Sequence, residues 1–473
     1  MGIFEKFTDR ELAFRLAYEI SLAGGKAYYV GGYVRDSYLG INDNKDIDIE
    51  VYNITVDKLR TIIDKFGERL EHGKSFGVFG IKGYNIDISL PRTERCTGDK
   101  HTDFDININP FMSVEDGAKR RDLTINAMMY DILTNTLVDP FNGKEDLDNG
   151  IIRYVNSDTF IEDPLRVLRV AQFAARFPEM YVSPETIELC SKIDLSTLSK
   201  ERVYTELNKA LTKSNQPSIF FNTLRQMNQL STWFPEVEQM IGVPQNSKYH
   251  KEGDVYIHTM MVLDYVSQFF IDIEQPVPLM LSALCHDMGK IKTTEIMNGE
   301  IHSYKHEIMS TELAFNALSR LTNEVDVIDY VLNMVKLHMK PHHLFKNQSK
   351  IKKTNKLFDE SISPDDLIIL AYCDSMSAKK EDSSEIELAE SEKEFLNNRY
   401  EIYVECMNKP FVRGQDLVEQ GLKPGKYFAE ALDFAHKLRL AGISKENALP
   451  QVIALAKKLY KSQAKIPTIR ACK

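Results

Sequence analysis

The six cysteines of this 473-residue chain (Cys96, Cys190, Cys285, Cys373, Cys406 and Cys472) are scattered, and no two form a C-x-x-C pair. That spacing excludes a disulfide framework and a zinc knuckle, and it predicts free thiols in a reducing compartment. No uninterrupted apolar run reaches the roughly 18 residues that a membrane-crossing helix needs. The opening stretch "MGIFEKFTDR" has no hydrophobic signal core. The expectation is a cytoplasmic protein without a membrane partner. Internal repeats and low-complexity tracts are also missing. A net charge of −10 argues against wholesale coating by nucleic acid, while leaving room for a local basic groove.

What is present is an ordinary globular composition, 43% hydrophobic and 27% charged. The length suggests roughly three domains or more, and the patterning changes along it. Residues 1–150 mix helical and strand periods: "DRELAFRLAYEISLAGG" reads as a helix stopped by Gly24-Gly25, "AYYVGG" and "DIDIEVY" as strands, and "VFGIKGYNIDISL" as a hairpin. Residues 151–245 are helical, residues 246–400 are helical and rich in histidine, and residues 401–473 form a further helical segment. The fold class is α+β, a small head with a mixed sheet followed by mostly α-helical parts. The charged run "KKEDSSEIELAESEKEF" reads as a solvated helix or linker.

The stretch "GGYVRDSYLGINDNKDIDIE" carries chemistry. In an extended strand, side chains two apart share a face, so Asp46 and Asp48 form a paired carboxylate anchored by Ile47 and Ile49 behind it. Such a pair suits Mg²⁺, which takes one or two protein carboxylates plus substrate phosphates. Gly31 and Gly32 let backbone N–H groups approach phosphates, a helix starting near Tyr33 adds its positive end, and Arg35 adds a fixed charge. The stretch reads as a triphosphate cradle beside a metal site. Asp87, in "YNIDISL", fits equally a third carboxylate or a surface strand end.

"GGYVRD" followed by "DID" resembles the head of the class II tRNA nucleotidyltransferase and poly(A) polymerase family. Further similar motifs follow in the family's order: "PRTER" (91–95), "RRDLTINAM" (120–128), "DPFNGKEDL" (139–147), "EDPLRVLRVAQFAARF" (162–177) and "ERVYTEL" (201–207). The resemblance implies template-independent addition of CCA to the 3′ end of tRNA from CTP and ATP, with Mg²⁺ on the catalytic Asp46 and Asp48. It places Gly31, Gly32, Arg35, Asp36, Arg120, Arg121, Asp122, Asn126 and Arg169 in nucleotide binding. Asp163 and Arg166, three apart on an expected helix and so on one face, would read the base edge.

Eight of the eleven histidines fall between His250 and His343. The series His258, His286-Asp287, His306, His338 and Asp374 has helix-sized gaps, and its imidazole and carboxylate donors suit Ni²⁺, Mn²⁺, Co²⁺ or Fe²⁺ better than Ca²⁺. Its order resembles the HD phosphohydrolase superfamily, and "GVPQNSKYHKEGDVYIHTMMVL" resembles the HD domain fused to certain bacterial CCA-adding enzymes. That resemblance implies phosphatase, 2′-nucleotidase and 2′,3′-cyclic phosphodiesterase activity. His250, His302, His342 and His343 are undecided as ligands.

Two rival readings stay open at this stage, an enzyme with the same head that adds only A, or poly(A), and a non-catalytic RNA-binding protein. The intact carboxylates, arginines and glycines weigh against the second. The loop "PRTERCTGDKHTDFDININPF" favours CCA. The basic runs "KIKKTNK" (350–356) and "KKLYKSQAK" (457–465) suit either tRNA phosphates or a solvated surface. Both a monomer and a homodimer remain compatible with the sequence.

Overall fold

The computed structural model describes residues 7–41, 46–71, 77–96, 104–248, 250–270, 275–378 and 383–463. The chain forms two compact units, Met1–Glu238 with Arg320–Thr322, and Gln239–Ser319 with Asn323–Lys473. The fold class is the expected α+β.

In the first unit, helix α1 (Asp9–Leu22) opens on a capping box between Thr8 and Glu11. It stops where the glycine pair was expected to stop it. Gly24 takes a φ of +89°, and the Gly25 N–H returns to the Ile20 carbonyl at 2.9 Å. Strand β1 (Lys26–Val30) leads through Gly31 into α2 (Gly32–Tyr38), then β2 (Ile47–Tyr52) and α3 (Val56–Ile63). The strands β3 (Arg69–Glu71), β4 (Val78–Ile81) and β5 (Ile86–Ser89) follow, and β6 (Arg92–Cys96) pairs with β7 (Phe104–Ile108) as a separate ribbon. The stretch read as a loop is thus a two-stranded ribbon at both its ends; residues 97–103 lie outside the described residues. Strands β8 (Met129–Asp131) and β9 (Thr136–Val138) complete a seven-stranded sheet ordered β3-β4-β5-β2-β1-β8-β9.

Alternation divides the two faces of this sheet. Ile47, Ile49 and Val51 of β2 join Ile86 and Ile88 of β5 in a core closed by Leu12, Leu16 and Ile20 of α1 and Leu59 and Ile62 of α3. Asp48 and Glu50 consequently point to the opposite face, which carries Tyr28, Val30, Tyr52 and Met129. β2 and β5 are parallel, with Asp48 directly in register with Asp87. The helices α4 (Leu165–Arg176) and α5 (Lys200–Thr212) pack together after the sheet.

The second unit is built on helices α6 (Val255–Ser267), α7 (Pro276–Cys285), α8 (His306–Leu321), α9 (Val325–Leu337), α10 (Met339–Lys346), α11 (Pro364–Ser377) and α12 (Ser383–Asn408). Their interior faces bury Val262, Leu263, Leu281, Leu284, Met334 and Leu370. The run Lys350–Lys356 forms the start of a helix that buries Thr354 and Asn355 and exposes Lys352, Lys353 and Lys356. Two later helices, Tyr427–Leu440 and Lys445–Gln463, pack around Ala431, Ala435, Val452 and Ala456. The last two residues of the second basic run lie outside the described residues. Cys190, Cys285, Cys373 and Cys406 form no disulfide among the described residues.

One glycine sets how closely the second unit can pack. A Cβ on Gly289, two residues after Asp287, would overlap the His306 carbonyl, where α8 begins. Its N–H also donates to Ser310 Oγ at 2.8 Å. Backbone cannot swing aside as a side chain can, so Gly289→Ala should destabilise the second unit by about 1–3 kcal/mol. Denaturant unfolding followed by circular dichroism measures this; an unchanged midpoint would show that α8 shifts freely.

Candidate functional sites

In the first unit a cavity of about 980 Å³ is lined by Asp48, Glu50 and Asp87 from the sheet, Arg120, Arg121 and Asp122, and Asp163, Arg166 and Arg169. Gly31 adjoins two of these residues: a Cβ there would come within 3.2 Å of Arg121 Nη1 and 3.8 Å of Asp48 Oδ2, and its φ of +65° with ψ of −133° favours glycine. Arg121 pairs with Glu50 at 3.1 Å. Glu50 continues the period-two carboxylates Asp46 and Asp48, a signal visible in "DIDIE" though not counted from sequence. Asp46 is exposed and stands just ahead of β2, not within it.

Burial pushes the Asp48 carboxyl up to about 6, against the pull of Arg121 and with help from Asp87 and Asp46. A carboxyl that resists ionisation beside other carboxylates is a donor whose cost a hard divalent cation relieves. Asp48 and Asp87 in one wall, with Asp46 just ahead of β2, are hard oxygen donors of the kind that a divalent cation takes. The register of two parallel strands, unreadable from local sequence, brings Asp87 there.

The motif 120–128 is partly structural. Asp122 is buried and accepts from the Leu123 N–H (2.8 Å), Asn126 Nδ2 (3.1 Å) and Arg169 Nε (2.7 Å). Although burial opposes it, Arg169 holds its carboxyl down to about 2. Asn126 in turn accepts from Arg35 Nη1 at 2.5 Å.

Two expectations need correction. Arg35 was expected to offer its charge to phosphate, with Asp36 beside it in nucleotide binding. Arg35 is instead only 2% exposed, bonds Asp36 at 2.6 Å and lies 5.0 and 5.1 Å from the rings of Phe173 and Phe177. Asp36 also pairs with Arg176 at 3.0 Å, so this pair ties α2 to α4 in the interior. The second correction concerns Asp163, which precedes α4 and does not share a helical face with Arg166. It caps Leu165 N–H at 3.1 Å and pairs with Arg202 at 2.8 Å. Arg166 donates to the carbonyls of Thr159 (2.6 Å) and Arg120 (2.7 Å). A guanidinium has five N–H donors, so this anchoring leaves others for a ligand in the cavity.

In the second unit all six residues of the histidine series converge. His286 and His338 cap the C-termini of α7 and α9, and His306 opens α8. Each donates its Nδ1–H to the carbonyl three residues before it: Ala283 (2.8 Å), Val335 (2.7 Å) and Ser303 (2.9 Å) respectively. For Ala283 and Val335 the carbonyls belong to the last turn of a helix, where such groups lack a partner in the helix, and the rings satisfy them; Ser303 ends a strand just ahead of α8. The bond also fixes the tautomer, turning each Nε2 inward as a lone pair. His306 Nε2 and His338 Nε2 face one another at 3.2 Å, and His286 Nε2 has no hydrogen-bond partner.

Two lone pairs at that separation require a shared proton or a cation. Asp287 lies 3.2 Å from His306 and 3.4 Å from His286. Despite burial, Lys290 at 2.7 Å and His286 hold its carboxyl well below the usual carboxylate range. Burial, with His286 and His306 nearby, pulls His338 down to about 3, leaving it a neutral imidazole. The donor set fits a divalent transition metal.

His258 stands 2.8 Å from Glu252 and 3.0 Å from Asp374; burial works against its charge, but these carboxylates raise it to about 9. Of the undecided histidines, His250 bonds Glu252 at 2.9 Å and His342 pairs with Asp374 at 3.1 Å, both lining a cavity of about 380 Å³ with Asp287 and Lys290. His302 stacks on Tyr304, and His343 is exposed. Sequence reasoning missed Glu252 and Lys290, although the latter sits in "HDMGK", one helical turn from Asp287.

The raised carboxyl of Asp48 yields a stability test. A carboxyl whose folded pKa lies above its unfolded value favours the fold at low pH, and that contribution is lost as pH rises through about 6. Asp48→Asn should therefore melt higher than the parent at pH 7.5 without metal, and at nearly the same temperature at pH 4. Calorimetry at the two pH values measures this; a lower melting temperature at pH 7.5 would contradict it.

Comparison with known proteins agrees with this geometry. The poly A polymerase head domain family matches residues 27–153, the probable RNA and SrmB-binding site of polymerase A matches 182–241, and the HD domain family matches 255–379. A multifunctional CCA protein of Actinobacillus pleuropneumoniae serotype 5b is 36% identical over 323 residues, 67% of this chain and 76% of the relative. One from Methylobacillus flagellatus is 38% identical over 324 residues, 67% and 75% of the two chains. Among solved structures, the Bacillus stearothermophilus CCA-adding enzyme in complex with CTP aligns with TM-score 0.66 at 19% identity, over 96% of this chain and 99% of that one. The Thermotoga maritima CCA-adding enzyme complexed with tRNA aligns with TM-score 0.60 at 19% identity, over 94% of each. With a polymerase head, its RNA-binding successor and an HD domain in this order, the chain belongs to the class II tRNA nucleotidyltransferase and poly(A) polymerase family, within its multifunctional CCA branch.

Proposed function

We propose that this chain adds CCA to the 3′ end of tRNA from CTP and ATP, without a nucleic-acid template and with release of pyrophosphate. The observation that carries the reading is the single cavity holding Asp48 together with the arginines of two motifs, an arrangement suited to a triphosphate and a base. The substrates named for relatives, tRNA among them, support it and favour a cytoplasmic location. We divide the chain into a nucleotidyltransferase head (1–150), a nucleotide- and RNA-binding neck (151–245), an HD domain (246–400) and a helical tail (401–473).

Asp46 and Asp48 hold Mg²⁺ in this reading; bound there, the ion supplies charge neutralisation at the triphosphate and a more acidic 3′-hydroxyl. Gly31 and Gly32 let the backbone approach the phosphates, and Arg120 and Arg121 offer them positive charge. Asp122, held by Asn126 and Arg169, keeps the motif's backbone in place. Asp163 and Arg166 present an acceptor and donors to the base edge. Normal CTP and ATP incorporation by Asp48→Ala, on tRNAs lacking one, two or three nucleotides of the CCA end, would overturn the reading. Incorporation of ATP alone by the parent chain would convert it to an A-adding enzyme or poly(A) polymerase. Arg166→Ala should weaken exclusion of UTP and GTP by about 1–3 kcal/mol, roughly 5- to 150-fold, in competition assays.

The second unit we assign as a phosphohydrolase acting on phosphate monoesters and 2′,3′-cyclic phosphodiesters. Ni²⁺, Mn²⁺ or Co²⁺ held by His258, His286, Asp287, His306, His338 and Asp374 would supply Lewis acidity for the ester. Lys290 adds a positive charge at the rim, next to Asp287. His286→Ala or Asp287→Ala should abolish hydrolysis of 2′,3′-cyclic AMP and leave nucleotide addition intact. Equal hydrolysis by the parent and Asp287→Ala would show that the cluster is structural.

A further inference from the structure

The helix α12 reads from sequence as a solvated acidic segment, and it lies beyond the part of the chain that matches the HD domain, 255–379. One of its carboxylates does not face water. Glu392 is 6% exposed, and both of its oxygens are engaged in the interior of the second unit. His342 Nδ1–H donates to Oε1 at 2.8 Å, and Ser375 Oγ–H donates to Oε2 at 3.0 Å. The other ring nitrogen of His342, Nε2, meets Asp374 Oδ2 at 3.1 Å, and Asp374 Oδ1 lies 3.0 Å from His258 Nε2. Glu392 therefore holds the ring that holds Asp374, and also the residue next to Asp374 in the chain.

We propose that Glu392 is a positioning residue of the HD centre, acting through His342 to fix which oxygen of Asp374 faces the metal. The inference rests on the reading of that centre as a divalent-metal site. A carboxylate at each ring nitrogen keeps both N–H bonds occupied and the ring in one orientation. His342 then occupies Oδ2, so Oδ1 is left to the side where His258 and Asp287 stand. His342 is the outer partner of Asp374, losing such a partner commonly costs about 10- to 100-fold in metal affinity, and Glu392 sets the orientation of that ring. Glu392 lies on the packed face of α12 with Ala389 and Leu396, and it is the charged member of that buried set. The assignment extends the centre into α12, outside the histidine-aspartate series by which it was identified.

The test uses the full chain in an Asp48→Ala background, which removes the head's carboxylate site. Co²⁺ is titrated into the parent, Glu392→Ala, Glu392→Gln and Asp287→Ala proteins, reading the dissociation constant and the visible d–d spectrum. Glu392→Ala should weaken Co²⁺ binding about 10- to 100-fold and alter the spectrum. Glu392→Gln keeps an acceptor of the same shape for His342 and should fall between Glu392→Ala and the parent; it also serves if the alanine variant does not fold. Loss of Co²⁺ binding in Asp287→Ala, with parental affinity and spectrum in both Glu392 variants, overturns this proposal alone. Parental Co²⁺ binding by Asp287→Ala overturns the metal-site reading, and this proposal with it.

Discussion

Like charges placed on one face of the sheet, Asp48 half-buried and Asp87 exposed, are the constraint around which the first unit is organised. Asp48 and Asp87 share one face because β2 and β5 run parallel and in register. Neither carboxyl can turn away without moving Ile47, Ile49, Ile86 or Ile88, which the pleat locks into the opposite core. The repulsion is tolerated because the hydrophobic face behind it is large and because Arg121 and Glu50 spread the charge next to Gly31. Positive charge from a cation would relieve the carboxylates of such a wall.

The second unit solves a related problem with imidazoles. Two helix ends supply unpaired carbonyls, which His286 and His338 satisfy with Nδ1–H, and His306 does the same for the strand residue Ser303; each bond turns Nε2 towards the common centre. Ring orientation, tautomer and helix capping are then one interaction counted three ways. Gly289 permits α8 to arrive close enough for His306 to join, since any side chain there would meet its carbonyl. Carboxylates behind the outer rings, Glu252 at His258 and Glu392 at His342, brace the periphery.

Much of this was legible in local pattern. The period of two placed Asp48 opposite Ile47 and Ile49, the glycine pair ended α1, and the helix-sized gaps of the histidine series match its distribution over successive helices. Where local reading went astray, packing had reassigned a charged group. Arg35 looks like a phosphate ligand because it follows two glycines, yet α2 turns it against Phe173 and Phe177, where Asp36 and Asn126 consume its donors. Asp163 looks like part of a helix face, but Pro164 immediately after it favours extended backbone, and α4 begins only at Leu165.

Determined by the chain's own order were the α+β class, the polymerase-head and HD motifs and the candidate residues within them, because each depends on backbone period or on motifs a few residues long. Left to tertiary structure were the partners of those residues: Asp87 beside Asp48, Arg166 on the carbonyls of Thr159 and Arg120, and Glu392 behind His342. A strand's register or a helix's rotation depends on how distant apolar faces fit, and no local pattern encodes which buried carboxylate will meet which ring. The difference is one of range: secondary structure follows from neighbours along the chain, whereas a buried charge finds its partner only once the core that excludes water has closed around both.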